Sequence, residues 1–385
     1  MSSTSLPGCI GIAAALLLGA CSSVEKLNPF GSSTPKVKPT ELAAIQTTAD
    51  LKSVWQASVG SAGEFTFSPA VVGNSVYAAA RDGSIVRIDG GRQVWRVAAG
   101  QPISGGVGSD GKLVVVGTPK GEVLAFDAAT GRETWKARVS SEVLAAPAVA
   151  DGLAIVRSGD SRIFGFDAAD GKRRWVYQRS TPALSLRSNV GVVLAGRLTL
   201  AGFPGGKLVA IANNNGAGVW EVTVALPKGA TELERVADVT SSPVVSGSTV
   251  CAAAFQGRVA CFDSNSGNTL WSRDMSSSAG LDIGSRYVYV SDDKGAVHAL
   301  DRNSGASVWK QDKLALRGLS RPLALGAYVA IADYQGIVHL LRQEDGAFAA
   351  RASTDGSAVR AEPVGFGAGF LVQTANGSLH ALEAR

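Results

Sequence analysis

Three evenly spaced histidines are the side chains in this 385-residue chain best suited to binding a metal ion. His298, His339 and His380 are 41 residues apart, and sets of three histidines occur at zinc sites. At the equivalent positions earlier in the chain the residues are apolar, for example Val86 and Leu124. The spacing therefore indicates a structural repeat in which the histidines pack, and we predict no metal site.

One glycine-rich segment matches the sequence pattern of a dinucleotide-binding loop. Gly106–Gly111 reads Gly-Val-Gly-Ser-Asp-Gly, but Lys112–Val116, which follows, is typical of a strand. Phosphate binding by such a loop requires a helix N-terminus there. The sequence contains no Walker loop, zinc-protease helix or nucleophile elbow, so we predict no catalytic residue and no cofactor. The net charge is +5 with scattered Lys and Arg, which gives no basic patch for nucleic acid.

These candidate residues lie within a repeat of about 40 residues, and the repeat predicts the fold. Its most visible marker is tryptophan, at Trp55, Trp95, Trp135, Trp175, Trp220, Trp271 and Trp309. Between the tryptophans come a hairpin glycine, usually an aspartate six residues later, and then a second glycine, as in Lys120–Trp135. Glycine allows the positive φ of tight turns between apolar strands. This length and content are typical of a four-stranded propeller blade.

The hairpin occurs eight times, which predicts an all-β chain folded as an eight-bladed β-propeller of four-stranded antiparallel blades. The strand around Trp55 has no hairpin before it, and the last hairpin strand, Leu379–Leu382, has no tryptophan strand after it. Pairing of these N- and C-terminal strands would complete the eighth blade and leave no free edge. In one unit Ala350 takes the tryptophan position, and we expect Phe348 to substitute for it on the same strand face.

The N-terminal 46 residues have the composition of a targeting segment and a tether. An apolar run ends in Leu18-Gly-Ala-Cys21, which resembles the lipobox of bacterial lipoproteins. The resemblance implies a signal peptide at 1–20, lipidation of Cys21, and, because Ser22 follows, an outer-membrane destination. No Lys or Arg precedes the run, which leaves the true translation start open. We expect a lipidated, Pro- and Ser-rich tether over 21–46 and the propeller over 47–385.

Cys251 and Cys261 flank one hairpin glycine and are a candidate disulfide. A three-residue loop at Phe255–Gly257 would place the two cysteines opposite one another. A two-residue loop would place them on opposite faces of the sheet, as two buried thiols. The sequence leaves both arrangements open.

Two consecutive connections between blades are longer than the others. From the tryptophan to the start of the next repeat they take 17 and 23 residues, against 10–14 elsewhere, and they span residues 176–191 and 221–242. Connections of one type in adjacent blades should lie side by side on one face. Their leucines, arginines and aspartate are typical of a small protein-binding patch. The alternative is that the leucines cap the blades internally.

The stretches Leu184-Ser-Leu186-Arg187 and Gly229–Pro243 resemble the BamB family, lipoprotein subunits of the machinery that assembles outer-membrane β-barrel proteins. The resemblance covers the lipobox, the tether and all eight repeats. It implies that Leu184, Leu186, Arg187 and Asp238 contact the periplasmic POTRA domains of the central barrel subunit, and we add Arg235 from the same stretch. Thr240 departs from the family pattern, which has a second acidic residue there.

The resemblance implies a non-catalytic adaptor, anchored by lipid to the periplasmic face of the outer membrane. Such an adaptor would dock on POTRA domains and present a surface to unfolded barrel-protein clients. One alternative is a quinone-dependent periplasmic dehydrogenase, since these enzymes share the repeat. They normally carry adjacent cysteines, however, and Cys251 and Cys261 are ten residues apart. Another alternative is a propeller lipoprotein with a different periplasmic partner.

Overall fold

A computed structural model of the chain describes residues 1–2 and 38–385. The chain divides into two units, residues 1–38 and 39–385, and the fold described below is that of the second unit. Its described residues form 32 β-strands in eight antiparallel four-stranded sheets. The predicted eight-bladed all-β architecture is therefore confirmed. No helix among the described residues has the length and apolarity needed to span a bilayer.

The blades are numbered in chain order, and strands β1–β32 are distributed among them as follows. Blade 1 contains β2 (Ala70–Val72), β3 (Ser75–Ala79), β4 (Ser84–Asp89) and β5 (Arg92–Ala98); blade 2 contains β6 (Gly105–Ser109), β7 (Leu113–Gly117), β8 (Glu122–Asp127) and β9 (Glu133–Arg138). Blade 3 contains β10 (Ala148–Ala150), β11 (Leu153–Arg157), β12 (Ile163–Asp167) and β13 (Arg173–Tyr177); blade 4 contains β14 (Val192–Ala195), β15 (Leu198–Phe203), β16 (Lys207–Ala212) and β17 (Gly218–Thr223). Blade 5 contains β18 (Val244–Ser246), β19 (Thr249–Ala253), β20 (Arg258–Asp263) and β21 (Thr269–Asp274); blade 6 contains β22 (Gly280–Ile283), β23 (Tyr287–Ser291), β24 (Val297–Asp301) and β25 (Ser307–Gln311). Blade 7 contains β26 (Leu323–Leu325), β27 (Tyr328–Ala332), β28 (Ile337–Arg342) and β29 (Phe348–Ser353); blade 8 contains β30 (Val364–Phe366), β31 (Gly369–Gln373), β32 (Ser378–Ala384) and β1 (Leu51–Ser58).

Blade 8 joins the two ends of the propeller. β1 is its outermost strand and pairs antiparallel with β32, so that Trp55 lies opposite Ala381. The first strands of neighbouring blades contact one another around the axis, and β2 of blade 1 contacts β30 of blade 8. The ring is thus closed by pairing of the N- and C-terminal strands, as the sequence predicts.

The central residues of the second and third strands of each blade are largely buried and mostly apolar because neighbouring blades cover both faces of the sheet. All five residues of β7 are buried, for example. The outermost strands have one face toward solvent and alternate accordingly. In β13 the single fully buried residue is Trp175. The strongly apolar runs of the sequence therefore mark inner strands, and the tryptophan strands mark the rim of the ring.

Tryptophans of the outer strands join successive blades. Trp95 Nε1 donates to the carbonyl oxygen of Ala128 in the next blade at 3.1 Å. Its ring packs on Gly131, where an added Cβ would lie 3.1 Å from the ring and φ is +71°, so glycine is required. The same pairing recurs for Trp135 with Gly171, Trp175 with Gly216, Trp220 with Gly267, Trp271 with Gly305 and Trp309 with Gly346.

The N-terminal segment of the second unit lies against blade 7, the blade whose outer strand has no tryptophan. The backbone N–H groups of Thr48 and Ala49 donate to the Ala349 carbonyl oxygen at 2.9 and 3.3 Å, and Arg351 Nη1 donates to the Ala43 carbonyl at 2.6 Å. The side chains of Ala49 and Leu51 pack in the cluster that contains Ala350. Residues 39–46, predicted as part of a tether, thus contact the ring. Residues 3–37, which include the predicted signal peptide and Cys21, lie outside the described residues.

Phe348 does not take the place of the missing tryptophan, contrary to the expectation from strand alternation. A β-bulge lies between Leu340 and Leu341 on the neighbouring strand, opposite the 348–350 segment. The bulge turns Phe348 to the other face of the sheet, where it packs with Trp309 and lies 4.7 Å from the Arg351 guanidinium. The N-terminal segment fills the space beside Ala350 instead.

Candidate docking surface

The two long connections contact each other on one face of the ring. In the structure they comprise residues 178–191, between β13 and β14, and residues 224–243, between β17 and β18. The Leu186 N–H donates to Asp238 Oδ2 at 2.7 Å, and the Gly191 N–H donates to Ser242 Oγ at 3.2 Å. The side-by-side arrangement that the sequence predicts is therefore present.

Connection 224–243 has two buried ends and an exposed middle. Val224 and Ala225 are buried, as are residues 236–239, while residues 226–235 are exposed. The exposed part is ordered by Glu234, whose Oε2 accepts the N–H groups of Ala230 at 2.8 Å and Thr231 at 3.1 Å. These backbone hydrogen bonds hold the pKa of the Glu234 carboxyl below its usual value. The result is a small capped turn that holds residues 230–234 in one shape.

Four leucines are exposed on the two connections. Leu184 and Leu186 are 47% and 40% exposed on connection 178–191, and Leu226 and Leu233 are 64% and 73% exposed on connection 224–243. The alternative that these leucines cap the blades internally is wrong for all four. Leu226 and Leu233 were not identified from the sequence. The available signal was their position between charged and turn-forming residues in an oversized connection.

The two arginines of the predicted site have different surroundings. Arg187 is well exposed, and its Nε lies 3.5 Å from Oε1 of Glu142, which belongs to the preceding connection of the ring. The pKa of Glu142 is lowered by the hydrogen bond from the Ser141 hydroxyl and further by Arg187. Arg235 folds back on its own connection, where Nε donates to the Gly229 carbonyl oxygen at 3.1 Å. Arg187 is therefore the more available of the two.

Asp238, predicted to contact a partner, is instead buried at 3% exposure. Its Oδ2 accepts the Leu186 N–H and its Oδ1 accepts the Gly205 N–H at 3.0 Å. Arg157 lines the same small cavity of about 30 Å³; burial lowers the Arg157 pKa to about 10, and the Asp238 charge opposes that shift. Asp238, itself part of connection 224–243, thus links connection 178–191 to the hairpin between β15 and β16 of blade 4. Its hydrogen bond to the Leu186 N–H fixes the backbone at Leu186. Arg157 was not identified from the sequence.

Cys251 and Cys261 are cross-strand neighbours in blade 5. They are directly paired in the register of β19 and β20, with Cα atoms 4.1 Å apart, and the structure joins them as a disulfide. The hairpin loop between these strands has three residues, Phe255–Gly257, which is the arrangement that places the cysteines opposite one another. Both side chains are fully buried.

The three histidines occupy equivalent positions in the third strands of blades 6–8. His298 Nε2 lies 2.8 Å from Asp292 Oδ2, and His339 Nε2 lies 3.2 Å from Asp333 Oδ2. Burial lowers the pKa of His339 and of His380. Within residues 1–2 and 38–385, no group of three His, Cys, Asp or Glu side chains is arranged to hold a metal ion.

The fold and this surface define a class, an eight-bladed propeller that presents apolar residues on long connections at one face. The family model described as outer membrane protein assembly factor BamB matches residues 81–311. A BamB from Bordetella pertussis is 43% identical over 98% of this chain and 97% of its own, and one from Pseudomonas aeruginosa is 42% identical over 81% of each. The chain belongs to the BamB family.

Solved structures agree with this assignment. The crystal structure of BamB from Moraxella catarrhalis superposes with a TM-score of 0.81 at 30% identity, covering 87% of this chain and 100% of that one. The quinohemoprotein alcohol dehydrogenase of Comamonas testosteroni superposes with a TM-score of 0.70 at 14% identity, covering 86% and 76%. The dehydrogenase likeness shows a shared fold alone.

Proposed function

We propose that this chain is a non-catalytic adaptor of the outer-membrane protein assembly machinery, held on the periplasmic face of the outer membrane by lipid at Cys21. It docks on the POTRA domains of the central barrel subunit through connections 178–191 and 224–243. Docking orients those domains or presents a surface to unfolded barrel-protein clients. The proposal extends the printed role of the BamB relatives to this chain.

The exposed leucines on the two connections are the observation that carries the proposal. Leu184, Leu186, Leu226 and Leu233 lie on connections that touch, and the exposed Arg187 follows Leu186 in the chain. Exposed apolar residues rimmed by polar ones mark protein-binding surfaces. The buried Asp238 fixes the backbone at Leu186, so little entropy is lost there when a partner binds.

The double variant Leu186→Glu with Arg187→Glu tests the proposal. We expect it to abolish co-purification with the central barrel subunit and to lower the affinity for isolated POTRA domains at least a hundredfold. The reason is that an anchor is lost and a charge is reversed at one spot. Both side chains are exposed, so the fold should survive, as measured by circular dichroism and thermal unfolding.

A matched control uses the same chemistry elsewhere on the ring. Val308 is 42% exposed and Lys310 is exposed on the outer strand of blade 6. The variant Val308→Glu with Lys310→Glu should bind POTRA domains like the wild type. Retained binding by the Leu186/Arg187 variant, or equal loss in both variants, would contradict the proposed interface.

The lipid anchor requires a separate experiment. Cys21→Ser, made with residues 1–20 replaced by an ordinary cleavable export signal, should release the chain from the membrane fraction into the soluble periplasmic fraction, because the lipobox thiol that would carry lipid is gone. POTRA binding by the purified variant should be unchanged. A Cys21→Ser chain that still sediments with outer membranes in cells lacking the barrel subunit would contradict the anchor.

A further inference from the structure

We propose that the axial end of the propeller, on the face of the two long connections, holds a binding site for a single carboxylate. The site is formed by Ser241, Ser242, Ser278, Arg321, Arg360 and Glu362, which we call the axial mouth. These residues lie in the connections that precede the first strands of blades 5, 6, 7 and 8. The inference does not rest on the docking proposal: Ser241 and Ser242 end connection 224–243, but neither the exposed leucines nor Arg187 lines the mouth.

The axial mouth is a distinct space above the central channel. It encloses about 90 Å³ and opens into a channel of about 550 Å³ that shares Asn189, Ser242, Arg321 and Glu362 with it. The channel wall is mixed, with aliphatic stretches at Leu144 to Pro147, Val192 to Ala195 and Val244 to Val245 beside polar residues such as Thr66 and Ser68. A ligand bound at the mouth would therefore have a polar end near the arginines and room for a small apolar part along the axis.

Two polar side chains at the mouth have unused hydrogen-bonding atoms. The Ser241 side chain is 7% exposed, and its Oγ has no hydrogen-bond partner among the described residues. Arg321 is 20% exposed, and its Nε is buried and likewise unpartnered in the described part of the chain. Buried donors without partners are costly, so their presence together indicates a ligand that accepts hydrogen bonds.

The two side chains lie around one point. A Cβ at Gly280 would be 2.8 Å from Ser241 Oγ and 3.5 Å from Arg321 Cδ. The φ of Gly280 is +104°, a value that favours glycine. The glycine therefore lets the serine hydroxyl and the arginine stem approach each other.

The charges of the axial mouth favour a monovalent anion. Arg321 and Arg360 are positive and Glu362 is negative, which leaves one net positive charge. Glu362 does not satisfy Arg321, because its Oε1 lies 3.9 Å from Nη1, beyond hydrogen-bond distance. Arg360 donates to the Gly63 carbonyl oxygen at 2.8 Å and acts as a neighbouring charge. A guanidinium binds a planar carboxylate through two parallel hydrogen bonds, which suits the remaining donors of Arg321.

Titration calorimetry of the full-length chain with sodium acetate, against sodium chloride at the same ionic strength, tests the site. We expect acetate to bind the wild type and Arg321→Gln to weaken binding at least tenfold. Ser241→Ala should weaken it several-fold, and Glu362→Gln should strengthen it several-fold, since a competing carboxylate is removed. Arg273→Gln is the matched control, because Arg273 is exposed on the outer strand of blade 5 and should not affect binding.

The opposite results would overturn the inference. Absence of acetate binding by the wild type, or undiminished binding by Arg321→Gln, would show that Arg321 serves no ligand. A Glu362→Gln chain that is less stable and binds acetate no better would show that the two side chains are simply a structural ion pair. Tighter binding of phosphate than acetate at pH 8 would contradict the assignment to a monovalent carboxylate.

A second titration separates two sources of the carboxylate. A short apolar peptide with a free C-terminus is compared with the same peptide amidated at its C-terminus. Binding at least tenfold tighter than acetate, lost on amidation, would assign the site to a peptide terminus that extends into the channel. Equal affinity of acetate and the free peptide would assign it to a small acid. Binding of the amidated peptide with the affinity of the free one would contradict carboxylate recognition.

Discussion

Removal of the Asp238 carboxylate should loosen the docking surface without removing any of its exposed side chains. Asp238 accepts backbone N–H groups from Leu186 at 2.7 Å and from Gly205 at 3.0 Å. Hydrogen bonds to charged groups are worth about 1.5–3 kcal/mol each, so loss of both in Asp238→Ala should lower the free energy of unfolding by about 3–6 kcal/mol. Asp238→Asn, which keeps one acceptor oxygen, should cost roughly half as much.

Urea unfolding gives the free energy, and amide hydrogen exchange reports on Leu186 directly. In Asp238→Ala, which removes both acceptor oxygens, we expect the Leu186 amide to exchange at least tenfold faster and POTRA affinity to fall although the surface leucines are intact. Glu234→Ala is the control, since it removes two backbone hydrogen bonds from the exposed turn of connection 224–243 and should leave the Leu186 amide unchanged. An unchanged Leu186 exchange rate in a folded Asp238 variant would refute the positioning role.

Three further predictions concern the scaffold. Mass spectrometry of the denatured, alkylated chain should find Cys251 and Cys261 unmodified until reductant is added, and free thiols in the native protein would contradict the disulfide. Replacing both cysteines by alanine should lower the free energy of unfolding by about 2.7 kcal/mol, the value expected for a loop of this length. Trp175→Phe should lower the free energy of unfolding by about 1 kcal/mol more than Trp55→Phe, because Trp175 Nε1 donates to a carbonyl oxygen and Trp55 Nε1 has no partner in the described residues. Equal losses of stability in urea unfolding would argue against the indole hydrogen bond. Burial lowers the His339 pKa, so the unfolded chain binds a proton below about pH 6.5 that the folded chain does not. The free energy of unfolding should therefore fall between pH 7 and pH 5. His339→Gln should reduce this pH dependence, and an unchanged pH dependence in the variant would contradict the role of His339.

The fold could be predicted from the sequence because each repeat requires particular residue types at particular positions. A tryptophan on one blade requires a glycine on the next, as with Trp95 and Gly131, and this pairing recurs at fixed offsets. Counting hairpins then gave the blade number, and the unpaired strands at the two ends gave the closure. These inferences depend on contacts between neighbouring blades that recur along the ring, except at the outer strand of blade 7, which has no tryptophan.

The details of the site could be predicted only in part. The lengths of the connections indicated where the surface lies, and the exposure of Leu184 and Leu186 followed from their position. The burial of Asp238 could not be predicted, because it depends on how two connections pack on a third element. The face of the sheet on which Phe348 lies could not be predicted for a similar reason, since the bulge in the pairing of β28 and β29 cannot be recognised from the amino-acid sequence.

The pairing of β1 with β32 has a consequence for biogenesis. Leu51 lies opposite Ala384, so the first strand of the ring to be synthesised has its partner in the last one. The entropy of joining such distant segments must be overcome before their contacts form, which makes this seam a late event. Until synthesis of the C-terminal hairpin is complete, β1 is a solitary strand with exposed hydrogen-bonding groups. A nascent chain stalled shortly before its end would therefore expose an unpaired, aggregation-prone strand. Such a chain would need chaperones to keep it soluble or proteases to remove it.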